Sequence, residues 1–294
     1  TEDAVAGRSI GGTRMLQTIL QRAIKASSCA NDALASNLAM RMTGMPGHNN
    51  GVLAMKTAAT SHSICALDNI VLQYKVEWPL SLVFTTSVLA QLSSVFRRLL
   101  RFRHTGMALR LAWQKLQEIG HAVRRSSKLK AERLGTNSTR LRRMELFMCE
   151  ARHFHTIVSS YLSSQLLVDA WDKFQREMDG VEDLHQLKAA HDEYGMDVTR
   201  RALLQPDRKE LRELIDNSLQ YILDFRAKLR LCEAPHYLQD DELYQDLVST
   251  HEEFRQRTNF LLRVLKAAAV RGGQLSALFM QLNFNNYYNS GMDP

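Results

Sequence analysis

Between Ile70 and Trp113 the spacing of apolar residues changes period, and the change predicts a strand followed by a long helix. Ile70, Leu72, Tyr74 and Val76 alternate with Val71, Gln73 and Lys75, the two-residue repeat of a strand. Pro79 lacks an amide hydrogen and disfavours helical geometry at Trp78, so the strand ends and the chain turns there. After Leu80, Val83 and Phe84, the side-chain oxygens of Thr85, Thr86 and Ser87 can cap the free amides of a new helix. Leu89, Leu92, Phe96 and Leu99, flanked by Val88, Val95 and Leu100, then recur every three or four residues. The stripe resumes through Met107, Leu111 and Trp113 and predicts a helix to about Glu118, roughly 50 Å long at about 1.5 Å per residue.

The same pattern predicts helices on either side. Residues 1–12 are small and polar and are expected to fray, whereas Met15, Leu16, Ile19, Leu20 and Ala23 form an amphipathic stripe. A weaker helix is expected over Asp32 to Met42, and the Gly, Pro and Asn residues from Gly44 to Gly51 form a loop. Residues 120–140 have no sustained apolar face and are expected to be a basic, mobile connection. Leu141, Met144, Met148, Ala151, His155, Val158, Leu162, Leu166, Ala170 and Phe174 predict a second long helix, more polar from Ser159 to Gln165. Gly180 breaks it, and Leu184, Leu187, His191, Tyr194 and Val198 predict a third. Gln205, Pro206 and Asp207 open a fourth, carrying Leu211, Leu214, Ile215, Leu219, Ile222, Phe225 and Leu229, with Pro235 beyond its end. A fifth runs through Leu243, Leu247, Phe254, Leu261 and Leu265 and stops at Gly272 and Gly273. Leu275, Leu278, Phe279 and Leu282 predict a final helix before an Asn-rich, aromatic tail.

The expected fold is all-α: an elongated multi-helix bundle with one short β strand or hairpin before Trp78. Residues 1–69 would form an N-terminal helical segment and loop and residues 70–294 the bundle, or the whole would be one continuous domain. A chain of 294 residues, 45 % apolar and with five prolines, has ample material for a buried core. Cys29, Cys65, Cys149 and Cys232 are scattered, without the compact spacing of a zinc site or a disulfide framework, which fits a reducing compartment. No apolar run approaches the roughly 18 residues of a membrane span, so no membrane insertion is expected.

Charge sharpens the picture. The net charge is +7, yet Arg97 to Arg143 holds 14 Lys and Arg against Glu118 and Glu132, a local +12 that leaves about −5 for the rest. Such a field either belongs to a solvated helix face or attracts an acidic partner. Nucleic acid is the alternative partner, but no aromatic residues are interleaved with the cations of residues 120–140, so stacking platforms are missing.

Two motifs carry a family resemblance. Tyr74-Lys75-Val76-Glu77-Trp78-Pro79-Leu80, then Phe96-Arg97-Arg98-Leu99-Leu100-Arg101, resembles the strand, Trp-Pro-Leu corner and long helix of the gamma-tubulin complex component family. The closing Leu282-Asn283-Phe284-Asn285-Asn286-Tyr287-Tyr288 is similar to that family's terminal signature, and His191, Tyr194, Leu203 and Leu204 fall where the family has a His, an aromatic and a leucine pair. The resemblance implies the C-terminal, gamma-tubulin-binding domain of such a component, with a second helical domain ahead of it. It further implies partnership with gamma-tubulin and neighbouring components, templating of microtubule nucleation, and a place in the cytoskeleton at a microtubule-organising centre or spindle pole. Neither enzymatic activity nor a cofactor is expected. The candidate partner-binding residues are Arg97, Arg98, Arg101, Arg103, Lys128, Lys130, Tyr287 and Tyr288, the tyrosine pair serving either to dock the tail or to meet a partner.

Other candidate chemistry is weaker. Glu150 with His153 and Glu182 with His185 repeat a spacing found in carboxylate di-iron bundles, but all four sit off the apolar stripes, and a surface position is expected. His155 lies on a stripe and is expected to be a hydrogen-bonded core histidine, the match of His191 to the family histidine implies a packing or capping role, and Trp78, Trp113 and Trp171 are expected in the core. No Gly-rich phosphate loop, His-Glu-x-x-His or nucleophile elbow occurs.

Overall fold

The computed structural model describes residues 2–42, 63–127, 134–232, 240–270 and 275–284. The chain forms two compact units, one from Thr1–Arg101 with Ser164–Gln205, the other from Phe102–Ser163 with Pro206–Pro294. Among the described residues the fold is all-α apart from one two-stranded antiparallel sheet.

The first unit begins with α1 (Glu2–Lys25), a 3-10 turn (Ala33–Asn37) and β1 (Leu38–Met42). The helix thus starts well before the stripe that announces it, where fraying is expected from sequence. Leu16 and Leu20 are buried, while Met15 and Ile19 are exposed. The helix expected over residues 32–42 is replaced by the 3-10 turn and β1. Asp32 caps the turn by accepting from the Leu34 amide at 2.9 Å. The predicted strand is β2 (Ile70–Tyr74), and its partner is β1, with Leu38 opposite Tyr74, Met40 opposite Leu72 and Met42 opposite Ile70. A lone strand leaves its backbone groups unpaired, and pairing outweighs the helical preference of Leu, Ala and Met in β1. The other edge of β1 is closed by Gln17 of α1, whose amide nitrogen donates to the Leu38 carbonyl at 3.1 Å while its oxygen accepts from the Met40 amide at 3.2 Å.

The peptide bond between Trp78 and Pro79 is cis, and a 3-10 turn (Leu80–Leu82) leads into α2 (Thr86–Ser127). Thr85 supplies the expected cap, its Oγ1 accepting from the Val88 amide at 3.3 Å. The helix continues to Ser127, and α3 (Leu134–Ser163) begins seven residues further on. Most of the stretch expected to be a connection is therefore helix. Residues 128–133 lie outside the described residues.

The second predicted long helix is divided. After α3 comes a π-helical segment (Ser164–Asp169), then α4 (Ala170–Met178). Val158, Leu162, Leu166, Ala170 and Phe174 are all buried, at consecutive intervals of four. Four such steps would rotate the stripe by about 160° around a 3.6-residue helix, and the π segment, with more residues per turn, reduces that drift. Here α4 packs on α5 (Leu184–Arg201), which Asp183 caps by accepting from the Gln186 amide at 2.7 Å.

Helix α5 ends in a Schellman arrangement, with Leu204 N donating to Thr199 O and Leu203 N to Arg200 O. Leu203 occupies the left-handed position at φ 60°, where glycine is usual, and is itself buried.

In the second unit a 3-10 turn (Pro206–Arg208) opens α6 (Lys209–Arg230), followed by α7 (Asp241–Val270) and α8 (Leu275–Leu282). Asp240 caps α7 by accepting from the amides of Glu242 and Leu243. Phe147, Phe154, Phe225 and Phe254 are fully buried and meet edge to face, Phe147 with Phe225 at 4.3 Å and with Phe254 at 5.3 Å, tying α3, α6 and α7 together. Between α2 and α3 the approach is close: a Cβ on Gly106 would lie 2.9 Å from the His155 ring.

Candidate protein-binding surfaces

Helix α2 presents its cations unequally. Arg97, Arg98 and Arg101 belong to the first unit, Arg103 to the second. Arg97 is half-buried and donates from Nη2 to Ser94 Oγ at 3.0 Å. Arg98 is 2 % exposed and lies inside the fold. Arg101 grips Asp68 with a two-pronged fork, Nε to Oδ1 at 2.8 Å and Nη2 to Oδ2 at 2.5 Å, which pins the stretch before β2 to the helix. Arg103 is exposed. Lys128, Lys130, Tyr287 and Tyr288 lie outside the described residues.

Part of the basic field is neutralised by distant carboxylates. Arg140 pairs with Asp241 and lies over the Tyr244 ring at 4.5 Å, and Arg143 pairs with Glu252 at 2.9 Å. No regular spacing links residues about a hundred positions apart, so sequence showed the cations and not their partners.

The histidines on the stripes pack as expected. His155 donates from Nε2 to the Phe102 carbonyl at 2.9 Å, and burial lowers its pKa while that bond opposes the shift. His191 stands edge-on between Phe84 at 4.7 Å and Phe174 at 4.8 Å; burial lowers its pKa and neighbouring Asp192 opposes this. His104 is lowered by burial and by the positive charge of Arg226. At the end of α5, Asp197 is 3 % exposed between Arg200 and Arg201; burial would raise its pKa, but the two guanidinium groups outweigh it and hold the carboxyl below its usual range.

Two expectations from the sequence are corrected. Glu150 is buried, not at the surface: its carboxylate meets His251 Nε2 at 3.0 Å and Arg255 Nε at 3.4 Å, with Phe147 against the imidazole. His153, Glu182 and His185 are exposed, and among the described residues no cluster of three or more His, Cys, Asp or Glu is arranged to hold a metal ion. Trp78 is 80 % exposed beside exposed Leu80 and Leu82, so the Trp-Pro-Leu corner displays an apolar surface and does not fill a core. Trp171 is 43 % exposed while touching Phe174 and Tyr194, and Trp113 is half-buried. Among the described residues no helix is long and apolar enough to cross a membrane.

The family model described as gamma tubulin complex component C-terminal matches residues 9–288. The chain is 28 % identical over 287 residues to gamma-tubulin complex component 6 of Mus musculus, covering 93 % of this chain and 15 % of that protein. It is 31 % identical over 173 residues to gamma-tubulin complex component 3 of Arabidopsis thaliana, covering 57 % and 20 %. With the gamma-tubulin complex component 4 homolog of Medicago truncatula the identity is 23 % over 245 residues, covering 81 % and 32 %. The chain thus spans less than a third of the length of each of these relatives.

Proposed function

Because this chain belongs to the gamma-tubulin complex component family, we propose that it holds gamma-tubulin within a complex of such components, which together template the growth of a microtubule at a microtubule-organising centre or spindle pole. The observation that carries this reading is the match over residues 9–288, within which lie the strand, the Trp78-Pro79 corner and the long helix α2. The function is mechanical. A subunit fixed in place beforehand no longer loses translational and rotational freedom when the first turn of a polymer forms, a cost of at least about 4 kcal/mol per free association. The reading assigns no bond-making chemistry and no cofactor to the chain.

Of the four candidate arginines, Arg103 is exposed and Arg97 half-exposed, which leaves these two to meet an acidic partner, since Arg98 is buried and Arg101 is engaged by Asp68. Co-purification of the chain with gamma-tubulin, followed by imaging, tests the reading. Retention of gamma-tubulin that weakens with rising salt is the expected result; absence of retention at low salt overturns it.

A further inference from the structure

In the second unit, α2 leaves one face uncovered. Arg103, Met107, Arg110, Leu111 and Gln114 are all exposed, and their spacing of three and four places them along one side of the helix. Met107 is 51 % and Leu111 44 % exposed, so two large apolar side chains stand between two arginines. Neither Arg103 nor Arg110 has an ion-pair partner among the described residues. The opposite face, with Phe102, Thr105, Ala108, Leu109 and Ala112, is buried, so the exposed face is not left over from a poorly packed helix.

Helix α6 supplies a further cation at the border of this face. His104 precedes Met107 by three and Leu111 by seven, and Arg226 stands close enough to act on its imidazole. Arg226 is half-buried, and its Nε is enclosed without a hydrogen-bond partner. Burial lowers its basicity, and the positive charge of Arg230 lowers it further. A partly desolvated guanidinium with no counter-ion among the described residues costs free energy in the isolated chain. A carboxylate brought by another molecule would recover it. Burial also holds His104 towards the neutral form, which spares the border an additional repulsive charge.

We propose that the face formed by Arg103, Met107, Arg110 and Leu111, bordered by Arg226, is a docking surface for an acidic protein surface that carries an apolar contact. The surface chemistry excludes a purely electrostatic footprint such as a nucleic-acid backbone, which would leave Met107 and Leu111 in water. The identity of the occupant rests on the reading above, in which it is gamma-tubulin.

Three variants of the chain test this in co-purification with gamma-tubulin. Arg103→Glu with Arg110→Glu reverses the exposed charges, Met107→Asp removes an apolar anchor, and Arg226→Met removes the half-buried cation. Each is expected to weaken retention tenfold or more, and the charge-reversed chain to lose most of the salt dependence. Because Arg226 has no ion-pair partner among the described residues, Arg226→Met is expected to leave the thermal midpoint of the isolated chain unchanged or raised, a result that separates lost docking from lost folding. Wild-type retention with undiminished retention by all three variants overturns the docking face and leaves the gamma-tubulin reading standing. Failure of the wild-type chain to retain gamma-tubulin removes that reading and this one together. A fall in the thermal midpoint of Arg226→Met shows the arginine to be structural and overturns its place at the border.

Discussion

Leu203 carries two opposed demands at one position. Its backbone sits in the left-handed region, which costs a residue with a Cβ about 1 kcal/mol or more, while its side chain is 4 % exposed. Truncation to alanine keeps the backbone penalty and loses the buried side chain, at about 2–5 kcal/mol. Leu203→Gly loses the same side chain but relieves the penalty. Urea unfolding is therefore expected to rank wild type above Leu203→Gly and Leu203→Gly above Leu203→Ala by about 1 kcal/mol, the reverse of the usual order inside a helix. The reverse ranking would show that the leucine is not held at φ 60° in solution.

At the scale of elements, the helices are held at their ends by side chains close in sequence. Thr85, Asp183 and Asp240 each accept from amides two or three residues ahead, and all three precede apolar stripes. Asp183→Ala is expected to destabilise the chain by about 1 kcal/mol, with hydrogen exchange accelerated in the first turn of α5 and unchanged in α7. Of these caps Thr85 was read from the sequence, because a cap requires only a short polar residue before a periodic run; Asp183 and Asp240 meet the same requirement but emerged only with the structure. The π segment was legible only in part. The run of four-residue steps from Val158 to Phe174 conflicts with a 3.6-residue repeat, but the conflict alone does not say whether the stripe rotates or the helix widens. In the structure the helix widens: a π segment lies within the run, and all five residues are buried. The partner of β2 was not legible, because 27 residues separate β1 from β2 and Leu38 to Met42 has no strand-forming pattern of its own.

For the whole molecule, burial has a common electrostatic consequence. His104, His155 and His191 all have pKa values lowered from the ordinary 6.5, with burial the largest cause in each. Between the lowered folded values and 6.5 the unfolded chain binds more protons than the folded one, so the stabilisation is complete above about 6.5 and is lost as pH falls below it. The thermal midpoint is expected to decline between about pH 7 and about pH 5. Replacing His155 with Gln should shallow that decline even though the variant starts less stable at pH 7. An unchanged slope would show that His155 titrates normally. Asp197 acts at lower pH: its folded pKa lies below 3.8, and its contribution persists until the carboxyl is protonated.

What the amino-acid sequence determined by itself was most of the helices, the turn at Trp78-Pro79, the Thr85 cap and the concentration of positive charge between Arg97 and Arg143, because periodicity, capping and composition are properties of neighbouring residues. Tertiary structure alone decided which cations remain available: Arg98 went inside, Arg101 to Asp68, Arg140 to Asp241, while Arg103 and Arg110 stayed in water. It also exposed Trp78 and buried Glu150 against His251. Burial and ion pairing depend on which remote segment arrives at a given side of a helix, and no local repeat encodes that arrival.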